Sequence, residues 1–230
     1  MVRSVYVKDA LKLQERVDKI AQGAALMTET ELKKKFIDGC SNLVPNRTLQ
    51  ELLYKNLCEV GSPKFDEEDM ELARKLVESY EVKHEGLPRE AEHMSEEHKE
   101  FILKATEEGK KPLNDFVVPY EYNSIREPGS TDVGDVSWLT PTAQVYMCCF
   151  AANSPGHSWQ NVACGNSPIG HKGLLAAGKV LCGTAIDLFE DHKLIEAART
   201  EFEKATKGGY VCPVPEGAKP VLSGEMIEFD

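Results

Sequence analysis

Residues 129–173 read GSTDVGDVSWLTPTAQVYMCCFAANSPGHSWQNVACGNSPIGHKG, and the fold reading turns on this stretch. Asp, His, Cys, Gly and Trp crowd together here in a segment that is not simply amphipathic. It holds His157 and His171, three of the seven cysteines and both tryptophans, Trp138 and Trp159. A loop, Gly129-Ser130-Thr131-Asp132, opens it. Alternation from Ala143 to Ala151, with Val145, Met147 and Cys149 on one side, predicts a buried strand. The turn Asn153-Ser154-Pro155-Gly156 delivers His157, and a long apolar helix begins near Pro168. Loop residues beside a strand end are where sites usually sit.

Outward from this stretch, the chain reads as strands and helices in alternation. Arg3 to Val7 alternates like a strand. Leu13, Val17, Ile20, Ala24 and Met27 recur at steps of four and three, which predicts an amphipathic helix over 8–27. Glu29 to Ile37 alternates again, with lysines on one side. Gly39 to Arg47 is a break rich in Gly, Pro and Asn. Thr48 to Glu51 has the spacing of a capping box that opens a helix, with Leu49, Leu52, Leu53, Leu57 and Val60 as its apolar face. Asp66 starts a further helix with Met70, Ala73, Leu76, Val77 and Tyr80 inward. Residues 81–115 read as a polar insertion carrying one helix and three histidines, His84, His93 and His98. The five-residue step from His93 to His98 misses the i, i+4 spacing that sets two ligands on one helix face, which weakens a metal reading. Pro168 to Glu190 is a long helix lined by Leu174, Ala177, Leu181, Ala185 and Leu188. Gly173, Gly178 and Gly183 inside it point to another element packed closely against it. A last helix covers about 193–206, followed by a Pro/Gly-rich surface tail.

The bulk properties narrow the function classes. The chain has 230 residues, enough for one large or two modest domains. A net charge of −11 opposes phosphate-backbone binding, which needs clustered Lys and Arg. No apolar run approaches the roughly 18 residues of a membrane span, and the N-terminus lacks a signal-peptide pattern. Seven cysteines without a CxxC pair read as reduced thiols. The expected location is therefore the cytoplasm.

Residue chemistry alone leaves the site open. His157, set behind a Pro-Gly turn, reads as a metal ligand or as a structural histidine. Asp132 and Asp135 read as acid–base or substrate-orienting groups, or as caps of a short helix starting near Val133. Cys148, Cys149 and Cys164 read as buried thiols, or as zinc thiolates.

Three segments carry a likeness to a known family: GSTDVGDVSW (129–138), GHSWQ (156–160) and GHKGLLAAGKVLCGTAIDLFED (170–191). ERVDKIAQGAALM (15–27) and GCSNLVPNRTL (39–49) extend it. Together they resemble the C-terminal part of the dinuclear-zinc aminoacylase/carboxypeptidase family (metallopeptidase family twenty), and within it amidohydrolases of the p-aminobenzoyl-glutamate hydrolase kind. The resemblance implies an α/β architecture: the C-terminal half of a zinc-peptidase-like α/β catalytic domain over 43–230, and over 1–42 part of an α+β sandwich lid that forms dimers. It implies a substrate-binding role for Asn46, Ser130 and Asp132, and a zinc-ligand role for His157. Thr131 stands where relatives carry Glu, so no charged role is carried over there, and His171 has no transferable ligand role.

The family's other zinc ligands and its general-base Glu belong to an N-terminal half that this chain does not match. The expectation is thus a C-terminal segment of a metal-dependent amidohydrolase or peptidase, inactive alone. Its partner would be that N-terminal half, or an oligomer partner through the lid, and the complete site would hold two zinc ions. The substrate would carry an amide bond of an N-acyl amino acid, aminobenzoyl-glutamate or dipeptide-like type. The alternatives are a non-catalytic dimerisation remnant, or a small structural zinc protein built on Cys148 or Cys149, Cys164 and the two histidines.

Overall fold

The computed structural model describes residues 1–82, 91, 93–122 and 129–219. His84, part of the polar insertion and the end of the tail lie outside the described residues. Eight helices follow in order among the described residues: α1 Val7–Thr28, α2 Arg47–Val60, α3 Glu67–Glu78, α4 Glu96–Ala105, α5 Val133–Ser137, α6 Trp159–Gly165, α7 Pro168–Glu190 and α8 His192–Ala205. None of the described residues is in a strand.

This overturns the α/β expectation and the sandwich lid. The three alternating segments, 3–7, 29–37 and 143–151, form no ladder. Alternation records which side chains could share a face. A strand also needs a neighbour to take its backbone N–H and C=O groups, and no described segment pairs with these three. Val7 is instead the first residue of α1.

The chain divides into two compact units: Met1–Asn46 with Arg126–Thr142 and Arg199–Asp230, and Arg47–Ile125 with Ala143–Ala198. In the first unit, α1 forms where the steps of three and four place it. It ends at Glu29, whose left-handed backbone (φ 56°) lets its N–H bond the Ala25 carbonyl. No residue of α1 is buried, and Leu13, Val17, Ile20 and Met27 of its apolar side are exposed.

The second unit holds a hydrophobic core of Ala73, Leu76, Leu113, Ala151, Cys164 and Ile169. Helix α2 starts one residue ahead of the Thr48 box, directly after buried Asn46. The working capping box belongs to α3. The Asp66 side chain accepts from Asp69 N (3.0 Å), and the Asp69 carboxylate accepts from Asp66 N (2.9 Å). Ser95 caps α4. Helix α6, capped by Ser158, had no apolar period long enough to reveal it.

Helix α7 runs over the expected residues with the opposite side inward. Ile169, Gly173, Ala176, Val180 and Thr184 are buried, whereas Leu174, Leu181 and Ala185 are exposed. The reason is close approach. A Cβ on Gly173 would overlap the Cys148 carbonyl, and one on Gly183 would overlap the Asn56 side chain from α2. Asn56 in turn donates to Asp187 (2.7 Å), and Lys55 pairs with the same carboxylate at 3.1 Å. Gly178, by contrast, faces open space.

These glycines give a paired prediction. Gly178→Ala should stabilise the chain by about 1 kcal/mol, the helix-propensity difference. Gly173→Ala should cost about 1–3 kcal/mol, because the obstacle is backbone and cannot rotate away. Urea midpoints of the two variants against the parent chain check the opposite signs.

Candidate functional site

The first unit brings the loop at 129–132 and α5 against the strap at 41–46. Asp135 fastens it: Oδ2 accepts from Ser41 N (3.0 Å) and Oδ1 from the Tyr210 hydroxyl (2.8 Å). Ser137, 1% exposed, accepts from Val44 N (2.8 Å) and donates to the Gly134 carbonyl (2.5 Å). Trp138 Nε1 donates to the Asn42 carbonyl (2.9 Å). Gly134 lies so near the Ser41 carbonyl that no Cβ fits. Burial and the Asp135 bond hold the Tyr210 hydroxyl well above the usual phenol range.

The two aspartates therefore separate. Asp135 is a fastening. Asp132 sits at the N-cap position of α5, but its side chain makes no cap bond and is exposed. The Thr131 hydroxyl does the capping, accepting from Val133 N (3.3 Å) and touching Asp132 Oδ1 at 3.4 Å. Ser130 is exposed beside it. Asn46 is 3% exposed at the end of the strap. Ser41 Oγ and Asn42 Oδ1 are buried without a partner among the described residues, so the strap retains unused polar capacity. A loop with an exposed carboxylate and hydroxyl can bind polar groups of a ligand.

His157 belongs to the second unit, in the turn before α6. Two left-handed residues shape that turn, Asn153 (φ 53°) and His157 (φ 56°), a conformation in which Asn and His are over-represented. Ser154 bonds the Asn161 side chain, Ser158 donates to the Pro155 carbonyl (2.7 Å), and Ser158 Oγ caps Asn161 N (3.3 Å). The turn is thus braced from both sides. It holds His157 out into solvent, and among the described residues its ring has no hydrogen-bond partner. His171 is also exposed, in the first turn of α7.

One imidazole does not make a metal centre, which takes three or four ligands. Among the described residues, no three His, Cys, Asp or Glu side chains come together to hold an ion. The cysteines are poor candidates for thiolate ligands. Burial pushes the Cys148 thiol up to about 11, and Cys149 and Cys164 are raised by the same cause. Cys164 donates to the Cys149 carbonyl at 3.6 Å. His98 is already engaged, with Nε2 on the Pro119 carbonyl (3.1 Å) and Nδ1 on Ser95 Oγ (2.8 Å).

The strap, the loop and the braced histidine coincide with the segments that carried the family resemblance. Comparison with known proteins shows the class: this chain is a relative of an amidohydrolase family. The match is to the B-type subunit of p-aminobenzoyl-glutamate hydrolase from Escherichia coli (strain K12), 36% identical over 223 residues. It covers 96% of this chain but 46% of the relative, so the chain spans about half the relative's length. No family model matches the chain. No solved structure matches it either.

Proposed function

We propose that this chain is the C-terminal segment of a metal-dependent amidohydrolase that cleaves an amide bond of an N-acyl amino acid, aminobenzoyl-glutamate or dipeptide-like substrate. The observation that carries the reading is the 36% identity running over 96% of this chain and 46% of the E. coli hydrolase polypeptide. The relative is by name one subunit of its enzyme, which supports a protein partner here. Residues 1–42 and 43–230 are then this chain's shares of two domains.

In this reading His157 supplies one ligand of a two-zinc site, and the other ligands and the general base come from the N-terminal half. The braced turn keeps the ring presented before that half arrives, which suits a ligand contributed to a shared site. Zinc, when bound, polarises the amide carbonyl and lowers the pKa of the attacking water. Ser130 and Asp132 hold polar groups of the substrate, and Asn46 orients its carboxylate or carbonyl from the end of the strap. Water adds to the carbonyl carbon, the C–N bond breaks, and the amine leaves with the proton that water gave up.

The test is zinc stoichiometry and hydrolysis, with the chain alone and co-expressed with the missing part of the E. coli relative. Alone, the chain should hold no tightly bound zinc and release no p-aminobenzoate from aminobenzoyl-glutamate. Two tight ions on the chain alone would overturn the partial-site reading. In the active complex, His157→Ala should cut hydrolysis by about 10²-fold or more, beyond what loss of an outer-shell partner costs.

A further inference from the structure

Helix α7 carries apolar side chains on its outer side as well as its inner one, with Lys172, Lys179, Asp187 and Glu190 as its charged residues. Its buried side sets Gly170, Gly173, Ala176 and Thr184 beside Ile169 and Val180, while Leu174, Leu175, Leu181, Ile186 and Phe189 point outward at 52–80% exposure. From Leu174 to Phe189 they form one continuous stripe about 22 Å long. Patches of this kind mark contact surfaces rather than ordinary exterior. A helix with apolar side chains exposed on the side away from its packing partners is commonly covered by a membrane or by another layer of protein. Among the described residues, no helix is long and apolar enough to cross a membrane. That leaves a core helix with one layer missing.

The glycines point the same way. Three of the four glycine notches cut into α7 are filled from within this chain, Gly170 by the Gly165 carbonyl, Gly173 by the Cys148 carbonyl and Gly183 by the Asn56 side chain. The fourth, Gly178, opens at the middle of the outer stripe with nothing within 4 Å. A glycine there lets a second backbone come close to the helix, as Gly173 does for the chain at Cys148 on the inner side.

We propose that the outer stripe of α7, centred on Gly178, is the surface on which the N-terminal half of the enzyme docks. The occupant is a polypeptide equivalent to the 54% of the E. coli relative outside the match, which covers 46% of it. From Leu174 to Phe189 the charged residues are Lys179 and Asp187, and Asp187 is turned to Asn56 and Lys55 of α2, so an apolar layer fits the stripe and a charged one does not. The proposal rests on the half-enzyme reading and names the surface it uses.

Cys182, exposed within the stripe, is a built-in reporter, and exposed Cys58 on α2 is its control. The full chain is co-expressed with the unmatched part of the E. coli relative, and maleimide labelling is followed at both thiols by peptide mass spectrometry. In the complex, Cys182 should label about tenfold more slowly or worse while Cys58 is unchanged. Gly178→Leu fills the notch with a better helix former, so the chain alone stays folded, but the complex should weaken about tenfold or more. A complex in which Cys182 labels at its free rate overturns the surface and leaves the half-enzyme reading standing. Protection of Cys182 in the chain alone, at monomer or dimer mass, overturns the occupant. No complex, with Cys182 reactive, overturns both.

Discussion

Asp69→Ala should lower the unfolding free energy of the second unit by about 2–4 kcal/mol, the sum of a lost cap and a stranded backbone donor. Asp69 is 3% exposed and does two jobs. Its carboxylate closes the capping box of α3 by accepting from Asp66 N, and it binds Lys172 of α7, which also reaches Asp66 at 2.6 Å. Removing it leaves a partly buried N–H without an acceptor and unties two helices. Lys172→Met should also destabilise, because it leaves a buried carboxylate without its cation.

The pH dependence of this cluster has a fixed sign. The Lys172 ammonium, and after it the Asp69 backbone N–H, hold the Asp66 carboxyl below its usual range. A carboxyl lowered in the folded state adds stability above its unfolded pKa of about 4, and that stability is lost as pH falls through the folded value. Lys172 is raised by Asp66 and Asp69. Its contribution is present below its unfolded pKa of about 10.4 and is lost as pH rises through the folded value. The cluster therefore stabilises between those limits. Lys172→Met should flatten the acid side of the profile, and urea midpoints measured from neutral pH downward check it.

Asp135→Ala should release the strap of the first unit, with a loss of about 2–4 kcal/mol for two bonds to a charged acceptor. Ser41 N and the Tyr210 hydroxyl both lose their partner, and three chain segments far apart in sequence come free. Tyr210→Phe removes one of the two bonds and should cost roughly half as much. Trp138 is bonded to the strap through the Asn42 carbonyl and lies in this unit, whereas Trp159 lies in the other. Fluorescence of Trp138 in a Trp159→Phe background therefore reports this unit's unfolding separately. Asp132→Ala, at an exposed carboxylate that makes no cap bond, should leave the same signal within about 0.5 kcal/mol. The contrast separates the structural aspartate from the one exposed to a ligand.

Much of the local structure was written in short-range pattern. The steps of three and four in 13–27, the acidic start at Asp66 and the Pro-led apolar run from 168 each gave a helix at nearly the expected bounds. These signals work because helix bonds join residues four apart, so pattern and structure share one scale. Family likeness was legible too, because it sits in contiguous motifs. The strands failed on the same criterion: a ladder needs a partner that no local pattern supplies.

The loop, the strap and His157 could be named from their residues, but their condition could not. That Asp135 is tied depends on Ser41 and Tyr210, 94 and 75 residues away. That Asp69 answers Lys172 spans 103 residues. The inward side of α7 was likewise decided by packing. The leucines promised a buried face, but only the glycine and alanine side lets α2 and the chain at Cys148 come close enough to touch. Periodicity set which residues share a face, and steric fit between distant segments chose which face turns inward.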